Sequence, residues 1–338
     1  MRAFLKFIAA GALAFISTLC GFAIFGQMVG QPYSWPFELM ASFAPQLAIA
    51  TLITAALAAR IQPKLAIAAA AVGMVGAVPI LSFSKYESPS RSECGVDDCL
   101  TVITANLWGR HEAMDALGEI AAREGAHILG LNEVPAELVN DDFLKTFPDH
   151  QHIVHAAWEN MAKPMGAPIA LISTEPLNDS ERVLRDDTAR RAYITADLGG
   201  DWQGLRMVVA HPVTPQSPTD LRKRDILLAA AGDAARESET FVFMGDFNLT
   251  PWAPKFRTLP GQRASDPRGS FTWPASTPGL GIPIDHVMFD GDLELVETRV
   301  LPAIGSDHHP ILARFKRKTQ SERAELVTSK TARNETER

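Results

Sequence analysis

Thr240-Phe241-Val242-Phe243-Met244-Gly245-Asp246-Phe247-Asn248 and, about sixty residues on, Ser306-Asp307-His308-His309-Pro310 decide how the rest of this chain is read. In the first, a short apolar run has the length and composition of a buried strand. Asp246 and Asn248 then sit where the strand opens into a loop, the usual place for catalytic groups carried by a rigid scaffold. The second sets a carboxylate beside an imidazole just before another strand, Ile311-Leu312-Ala313-Arg314-Phe315. Carboxylates, an amide and a histidine at strand ends suit metal-assisted attack of water on a phosphate ester. Neither run is decisive alone.

Outward from these runs, the chain from residue 100 onward alternates strand-like and helix-like segments. Residues 100–107 read as a strand ending at Asn106, and 127–133 as a second with Glu133 at its end. Between them, 112–124 has helical spacing, with Met114, Leu117, Ile120 and Ala121 on one face and Gly125 as a stop. Further strands are expected over 167–173, 193–198, 205–211, 241–244, 284–289 and 311–315, and a helix over 221–235. With few helices, and hairpin-length turns such as Gly199-Gly200-Asp201, the pattern predicts a layered sandwich of mixed sheets, not a doubly wound parallel sheet. There is no internal repeat, Gly-rich phosphate loop or coiled-coil heptad.

The polar residues at these strand ends are Asn106, Glu133, His211, Asp246, Asn248, Asp285, Asp307 and His308. Each has an ordinary explanation by itself. Glu133 can be a solvated loop acid, Asp246 and Asn248 a turn cap, Asp285 a strand start, His211 a loop histidine, and Ser306-Asp307-His308 another cap. The joint pattern changes the weighting, because strand ends along one edge of a sandwich meet in space.

The first quarter differs in kind. Residues 1–85 hold almost no acids and long runs of Ala, Leu, Ile and Phe, although mean hydropathy over the whole chain is only +0.01. Residues 7–28 are apolar or small over the length of a membrane span, and Arg2 and Lys6 precede them. A cleaved signal peptide has the same basic start. Two more apolar runs, 39–59 (weakened by Pro45 and Gln46) and 65–83 (carrying Pro79), favour a membrane domain of three transmembrane helices over residues 1–85. Arg60 and Lys64 lie between the second and third spans, and the loop 31–38 has no Lys or Arg. The rule for basic loops then places the N-terminus in the cytoplasm and everything after the third span outside it. A linker, 86–99, carries Cys94 and Cys99, a pair five positions apart around Gly95. A disulfide fits an oxidising compartment; two free thiols remain open, and zinc lacks a second ligand pair. Residues 318–338 have the composition of a disordered tail.

Asn106, Asn132-Glu133, His211-Pro212, Gly245-Asp246-Phe247-Asn248, Asp285-His286 and Ser306-Asp307-His308-His309-Pro310 together resemble the endonuclease/exonuclease/phosphatase superfamily. The match covers about residues 100–316, in order. The resemblance implies a DNase I-like fold: an α/β (α+β) four-layer sandwich of two mixed β-sheets flanked by helices, here preceded by about three transmembrane helices. Asn132 departs from the Gln usual before the acid. With its apolar first quarter, the chain is similar to the membrane-bound bacterial branch that includes VanJ-type proteins. By resemblance, Glu133 is the principal Mg²⁺ ligand, with Asn106 close by and Asp307 a further ligand; Mn²⁺ is the alternative ion. Asp246 orients and deprotonates the attacking water, and Asn248 holds nucleophile and phosphate. His308 contacts the phosphate, Asp285 fixes its tautomer, and His211 binds a phosphoryl oxygen. His286 and His309 are neighbours without a role.

Other residues are open to two readings. Arg191, in the pair Arg190-Arg191, can meet a substrate phosphate or be an exposed cation. Lys163-Pro164-Met165-Gly166, Trp252, Phe271 and Trp273 can shape a substrate mouth or simply pack.

Charge bears on the substrate. Residues 91–317 carry 22 Lys and Arg against 33 Asp and Glu, an excess of eleven negative charges. Duplex-DNA binding draws on neutralised phosphates and normally shows a basic face, so the acidic balance argues against it. The sequence therefore points to a multi-pass protein of the bacterial inner (cytoplasmic) membrane with an extracytoplasmic, periplasmic catalytic domain. Its expected reaction is Mg²⁺-dependent hydrolysis of a lipid-linked or membrane-associated phosphate. An extracytoplasmic metal-dependent nuclease is the alternative, and a catalytically silent binding protein on the same fold a third. The sequence indicates no protein partner.

Overall fold

The computed structural model describes residues 1–28, 35–83, 85–90, 98–135, 140–156, 167–277 and 279–318. Among these described residues, twelve strands follow a set of apolar helices. They are β1 (Leu100–Asn106), β2 (Ile128–Asn132), β3 (His152–Ala156), β4 (Ile169–Ser173), β5 (Leu177–Arg185) and β6 (Arg191–Leu198). β7 (Arg206–Ala210), β8 (Phe241–Asp246), β9 (Gln262–Arg263), β10 (Asp285–Asp290), β11 (Leu293–Val300) and β12 (Ile311–Arg317) complete the set. They form two six-stranded sheets, ordered β11-β12-β1-β2-β4-β3 and β5-β6-β7-β8-β10-β9.

Period-two alternation explains why the sheets stack. Along β8, Val242 and Met244 point into the core between the sheets, where they meet Val102, Leu171, Val209 and Phe315. Phe241 and Phe243 point the other way, toward Leu227, Leu228 and Ala231 of a helix at Pro218–Arg236. Along β1, Val102 faces the inter-sheet core, whereas Ile103 packs beneath a helix at His111–Glu124. Strands covered on both faces read as continuous apolar runs, and helix, sheet, sheet and helix make four layers. The first helix ends as expected, with Gly125 in the left-handed region at φ 59°. A short helix, Asn140–Thr146, joins it on the outer side of the first sheet through the buried Phe143.

Four strands lie outside the sequence expectation: β3, β5, β9 and β11. They are the four sheet edges. Half-exposed edges need no apolar run, and β5 is mostly polar and exposed. The expected hairpin at Gly199-Gly200-Asp201 is a 3₁₀ turn, Gly200–Trp202, between β6 and β7.

Chain direction brings the polar strand ends together. β1 and β2 are parallel, with Asn106 opposite Asn132. β12 runs antiparallel to β1, so residues 306–308 return to the same edge. In the second sheet, β7 and β8 are parallel and β10 is antiparallel, with Asp285 opposite Asp246.

Four apolar helices precede this sandwich: α1 (Arg2–Met28), α2 (Trp35–Ala41), α3 (Ala44–Ala58) and α4 (Pro63–Leu81). The helices at 111–124, 140–146 and 218–236 are then α5, α6 and α7. By length and composition α1 and α4 can each cross a membrane; α2 and α3 count as a third span only as a pair bent by 69°. The expected second span, 39–59, is therefore broken. The elbow falls at Ser42 and Phe43, because Pro45 in the first turn of α3 offers no N–H and its ring excludes a continuous helix through it. Glu38, the single acid among the first 85 residues, is buried in α2 and pairs with the buried Arg224 of α7. Trp35 Nε1 donates to Pro215 O at 2.8 Å, and Gln46 Nε2 to Gly281 O at 2.7 Å. The apolar helices are thus hydrogen-bonded to both sides of one end of the sandwich.

After α4 the chain runs along the sheets. Arg263 N donates to Lys85 O at 3.2 Å, Glu87 N to Arg263 O at 3.2 Å and Ser90 N to Leu295 O at 2.9 Å. Cys99 is disulfide-bonded and Cys20 is free. Cys94, its expected partner, lies outside the described residues, as do the expected tail from 319 onward and the cluster Lys163-Pro164-Met165-Gly166.

Candidate active site

Asp246 is the hub. The preceding Gly245 has φ 141°, and a Cβ there would lie 2.1 Å from Ala210 O. Only glycine permits that approach. The Asp246 N–H donates to Asn132 Oδ1 at 2.7 Å, which links the two sheets. Its Oδ1 accepts the Asn248 N–H at 2.9 Å, and its Oδ2 accepts Asn106 Nδ2 at 3.1 Å. Asn248 stands at φ 47° and donates through Nδ2 to Pro212 O at 3.2 Å. Burial pushes the Asp246 carboxyl above the ordinary range; the nearby Asp285 charge adds to this, while His308 and His211 oppose it.

His308 is fixed by a second acid. Its Nδ1 donates to Asp285 Oδ2 at 2.8 Å, and its Nε2 stands 3.8 Å from Asp246 Oδ2. Burial works against the imidazolium, but the charges of Asp285 and Asp246 outweigh it and hold the pKa up at about 10. The other two histidines of these motifs are engaged elsewhere: His286 between Arg263 and Leu249 O, His309 on Leu301 O.

Glu133 follows β2 in a left-handed conformation, φ 48°, which is uncommon for a glutamate and is concentrated at functional positions. Its Oε1 is 3.1 Å from His211 Nε2, and His211 Nδ1 is 3.1 Å from the Asp246 carbonyl oxygen. Burial raises the Glu133 pKa, but hydrogen bonds from His211 and Asn106 overcome it and bring the carboxyl down to about 2. Asp307 Oδ2 accepts Trp273 Nε1 at 3.1 Å. Arg191, at the start of β6, is half-buried. Burial lowers its guanidinium pKa, which the charges of Glu133 and Asp246 counter, and its Nη1 has no hydrogen-bond partner.

Glu133, Asp246, Asn248, Asp307 and His308 line one cavity of about 410 Å³. Asn106, His211 and Asp285 are not among its lining and act on it through Asp246, Glu133 and His308. Arg191 is not among the lining either. Trp108, Trp273, Ile282 and Ile284 supply apolar wall, and so do Leu39 and Phe43 from the α2–α3 elbow, with Ser42 between them. Of the aromatics singled out in the sequence, Trp273 lines the cavity, Phe271 is half-buried in the same loop, and Trp252 is buried against Phe83, 5.8 Å between ring centres. Trp108 and the elbow residues carry no catalytic signal in the sequence. Asn132, beside Glu133 in the motif, shows its role only in the structure, where it accepts the Asp246 N–H.

A divalent ion fits the oxygen donors on the Glu133 side. The Glu133 carboxylate is held ionised, and the Asp307 carboxylate, a second hard oxygen donor, lines the same cavity. The Asn106 amide turns its NH₂ toward Asp246 and Glu133 and accepts the Trp108 N–H on Oδ1 at 2.9 Å, so here it steadies the carboxylates. A second group, Asp246, Asp285 and His308, has potential ligand atoms within 4.8 Å of one another. There the imidazole is protonated and already bonded to Asp285, so an acid–imidazole–acid chain describes it better than a metal cage.

An ionised carboxylate for a cation, a buried acid and an acid-held imidazole facing one cavity define a phosphoester-hydrolysing site. The chain belongs to the Endonuclease/Exonuclease/phosphatase family, whose sequence profile matches residues 103–308. That places it among hydrolases of phosphate ester bonds. Solved structures share the fold. The endonuclease/exonuclease/phosphatase from Beutenbergia cavernae matches with a TM-score of 0.52 at 18% identity, over 65% of this chain and 72% of that one. A counterpart from Bacteroides vulgatus gives 0.51 at 15%, over 65% and 99%. A 3′-5′ exonuclease from Neisseria meningitidis gives 0.51 at 21%, over 64% and 100%. No curated protein sequence matches the chain.

Proposed function

We propose that this chain is a membrane-anchored, extracytoplasmic, Mg²⁺-dependent phosphoesterase acting on a lipid-linked or membrane-associated phosphate ester. The observation that carries the chemistry is the Asp285–His308···Asp246 chain facing Glu133 across one cavity. Mg²⁺ held by Glu133, with Asp307 a further ligand and Asn106 close by, would supply charge neutralisation at the phosphate. Asp246, its carboxylate basicity raised by burial, takes a proton from the attacking water as oxygen bonds to phosphorus and the leaving alkoxide departs. Asn248 orients that water and a phosphate oxygen. His308 presents Nε2–H to a phosphoryl oxygen, and Asp285 keeps the ring charged and aimed. His211 steadies Glu133 and the Asp246 backbone at once, so it acts as a positioning residue. This differs from the direct phosphate contact that the resemblance implies.

The membrane part of the reading is supported by the apolar helices and their basic loops, in which the chain resembles the membrane-bound branch of the family. The acidic balance of the domain supports a lipid phosphate over duplex DNA. A nuclease reading draws support from the exonuclease with the same fold. One panel separates them: full-length protein with Mg²⁺, Mn²⁺ or chelator, offered lipid phosphates, generic phosphodiesters and DNA. Cleavage of DNA without any lipid phosphate would reverse the preference, and no hydrolysis at all would sink both. Protease added outside intact cells should reach the domain; protection would overturn the orientation.

A further inference from the structure

The cleft has a wall that the catalytic domain does not provide. At the α2–α3 elbow, Leu39 and Phe43 line the same cavity as Asp246 and His308, together with Ile282 and Ile284. The elbow is held by ties on both sides. Trp35 is bonded to Pro215 on one, Gln46 to Gly281 on the other, and Glu38 is buried against Arg224. Arg224 also donates through Nη1 to the Asn248 carbonyl at 3.2 Å, so the same contact reaches the loop that carries the phosphate-handling amide. Phe43 keeps 38% of its surface exposed, and Leu280, whose carbonyl accepts from Gln46 Nε2, keeps 70%. Apolar surface of that kind beside a polar centre marks a place for an apolar part of a ligand.

We infer that Leu39, Phe43, Ile282 and Ile284 form a subsite for the hydrocarbon chain of the phosphate ester. The phosphate then lies at the strand ends, and the chain runs along the elbow toward the apolar face of α3. This rests on the phosphoesterase reading and adds to it a defined tail site. The occupant is a lipid phosphate, because the wall is apolar and its Leu39 and Phe43 come from the α2–α3 pair, which counts as a membrane span when taken as one bent unit. A water-soluble phosphate metabolite would gain nothing from it.

The test is a series of p-nitrophenyl alkyl phosphates from methyl to dodecyl, given with Mg²⁺ to the full-length protein in nanodiscs. The readout is the ratio of kcat/KM for the dodecyl ester to that for the methyl ester. The ratio should be well above one in the wild type and fall by about tenfold or more in Leu39→Ala/Phe43→Ala, given the transfer energy of a few methylenes. Ser42→Phe, which fills the cavity mouth, should lower it too and serves if the double variant does not accumulate. A ratio within twofold of wild type in the variants overturns the subsite while leaving the phosphoesterase reading intact. Wild-type protein that cleaves neither ester but cleaves single-stranded DNA overturns both. A loss equal for every chain length means that the elbow is structural only, and likewise overturns the subsite.

Discussion

The two walls of the cleft are built on opposite principles. One is polar, made from six strand ends, and three of its groups are fixed by partners at other strand ends: Asp246 by Asn132, His308 by Asp285, Glu133 by His211. The other is apolar, made from a break in a helix, and is fixed at a distance by Glu38, Trp35 and Gln46. Rigid sheets position atoms closely enough for proton transfer, and chemistry needs that. A hydrocarbon wall needs only shape. The comparison teaches that reaction and selectivity can be separated by mutation.

The largest effect is expected at the polar wall. Asp246→Asn keeps shape but not basicity and should lower kcat by about 10³-fold for every ester alike; a loss confined to long-chain esters would dissolve the division between walls. Asp285→Asn comes next, at about 10–100-fold. It should also move the alkaline limb of the pH–rate profile downward, since His308 loses the charge that raises it. An unmoved limb would assign that limb to another group. At the apolar wall, Glu38→Gln leaves Arg224 with Asp225 as its one ion-pair partner among the described residues and should cost about 1–3 kcal/mol of stability. A melting temperature equal to wild type would mean that the pair does not hold the elbow.

The smallest effect is a slope. His308 has its folded pKa raised to about 10, so in metal-free protein the stability it contributes is complete below about pH 6.5 and is lost as pH rises through 10. Melting temperatures should decline over that window, and less steeply in Asp285→Asn. Equal slopes in the two proteins would show that the imidazole does not govern the decline.

What could be read in the sequence follows the same physics. All eight interior strands were legible, because burial on both faces demands continuous apolar residues. The four edges were not, because Leu177–Arg185 and its like face water on one side. The polar wall was legible for a related reason: Asp246, Asn248, Asp307 and His308 sit in short runs beside strands. The apolar wall was not. Leu39 and Phe43 look like any residues of a membrane helix, and Glu38 gives no sign of a partner 186 positions away. Pro45 signalled a weak span, but not that the elbow would face a catalytic cleft.

Residues 85–90 join the edges of the sandwich almost as soon as α4 ends, through Lys85, Glu87 and Ser90. With the elbow contacts, these bonds tie the domain directly to the helices. With the helices in a bilayer, every phosphate would be met at one fixed height. Encounters would then come from lateral diffusion in two dimensions, and depth in the leaflet would select substrates before any chemistry began.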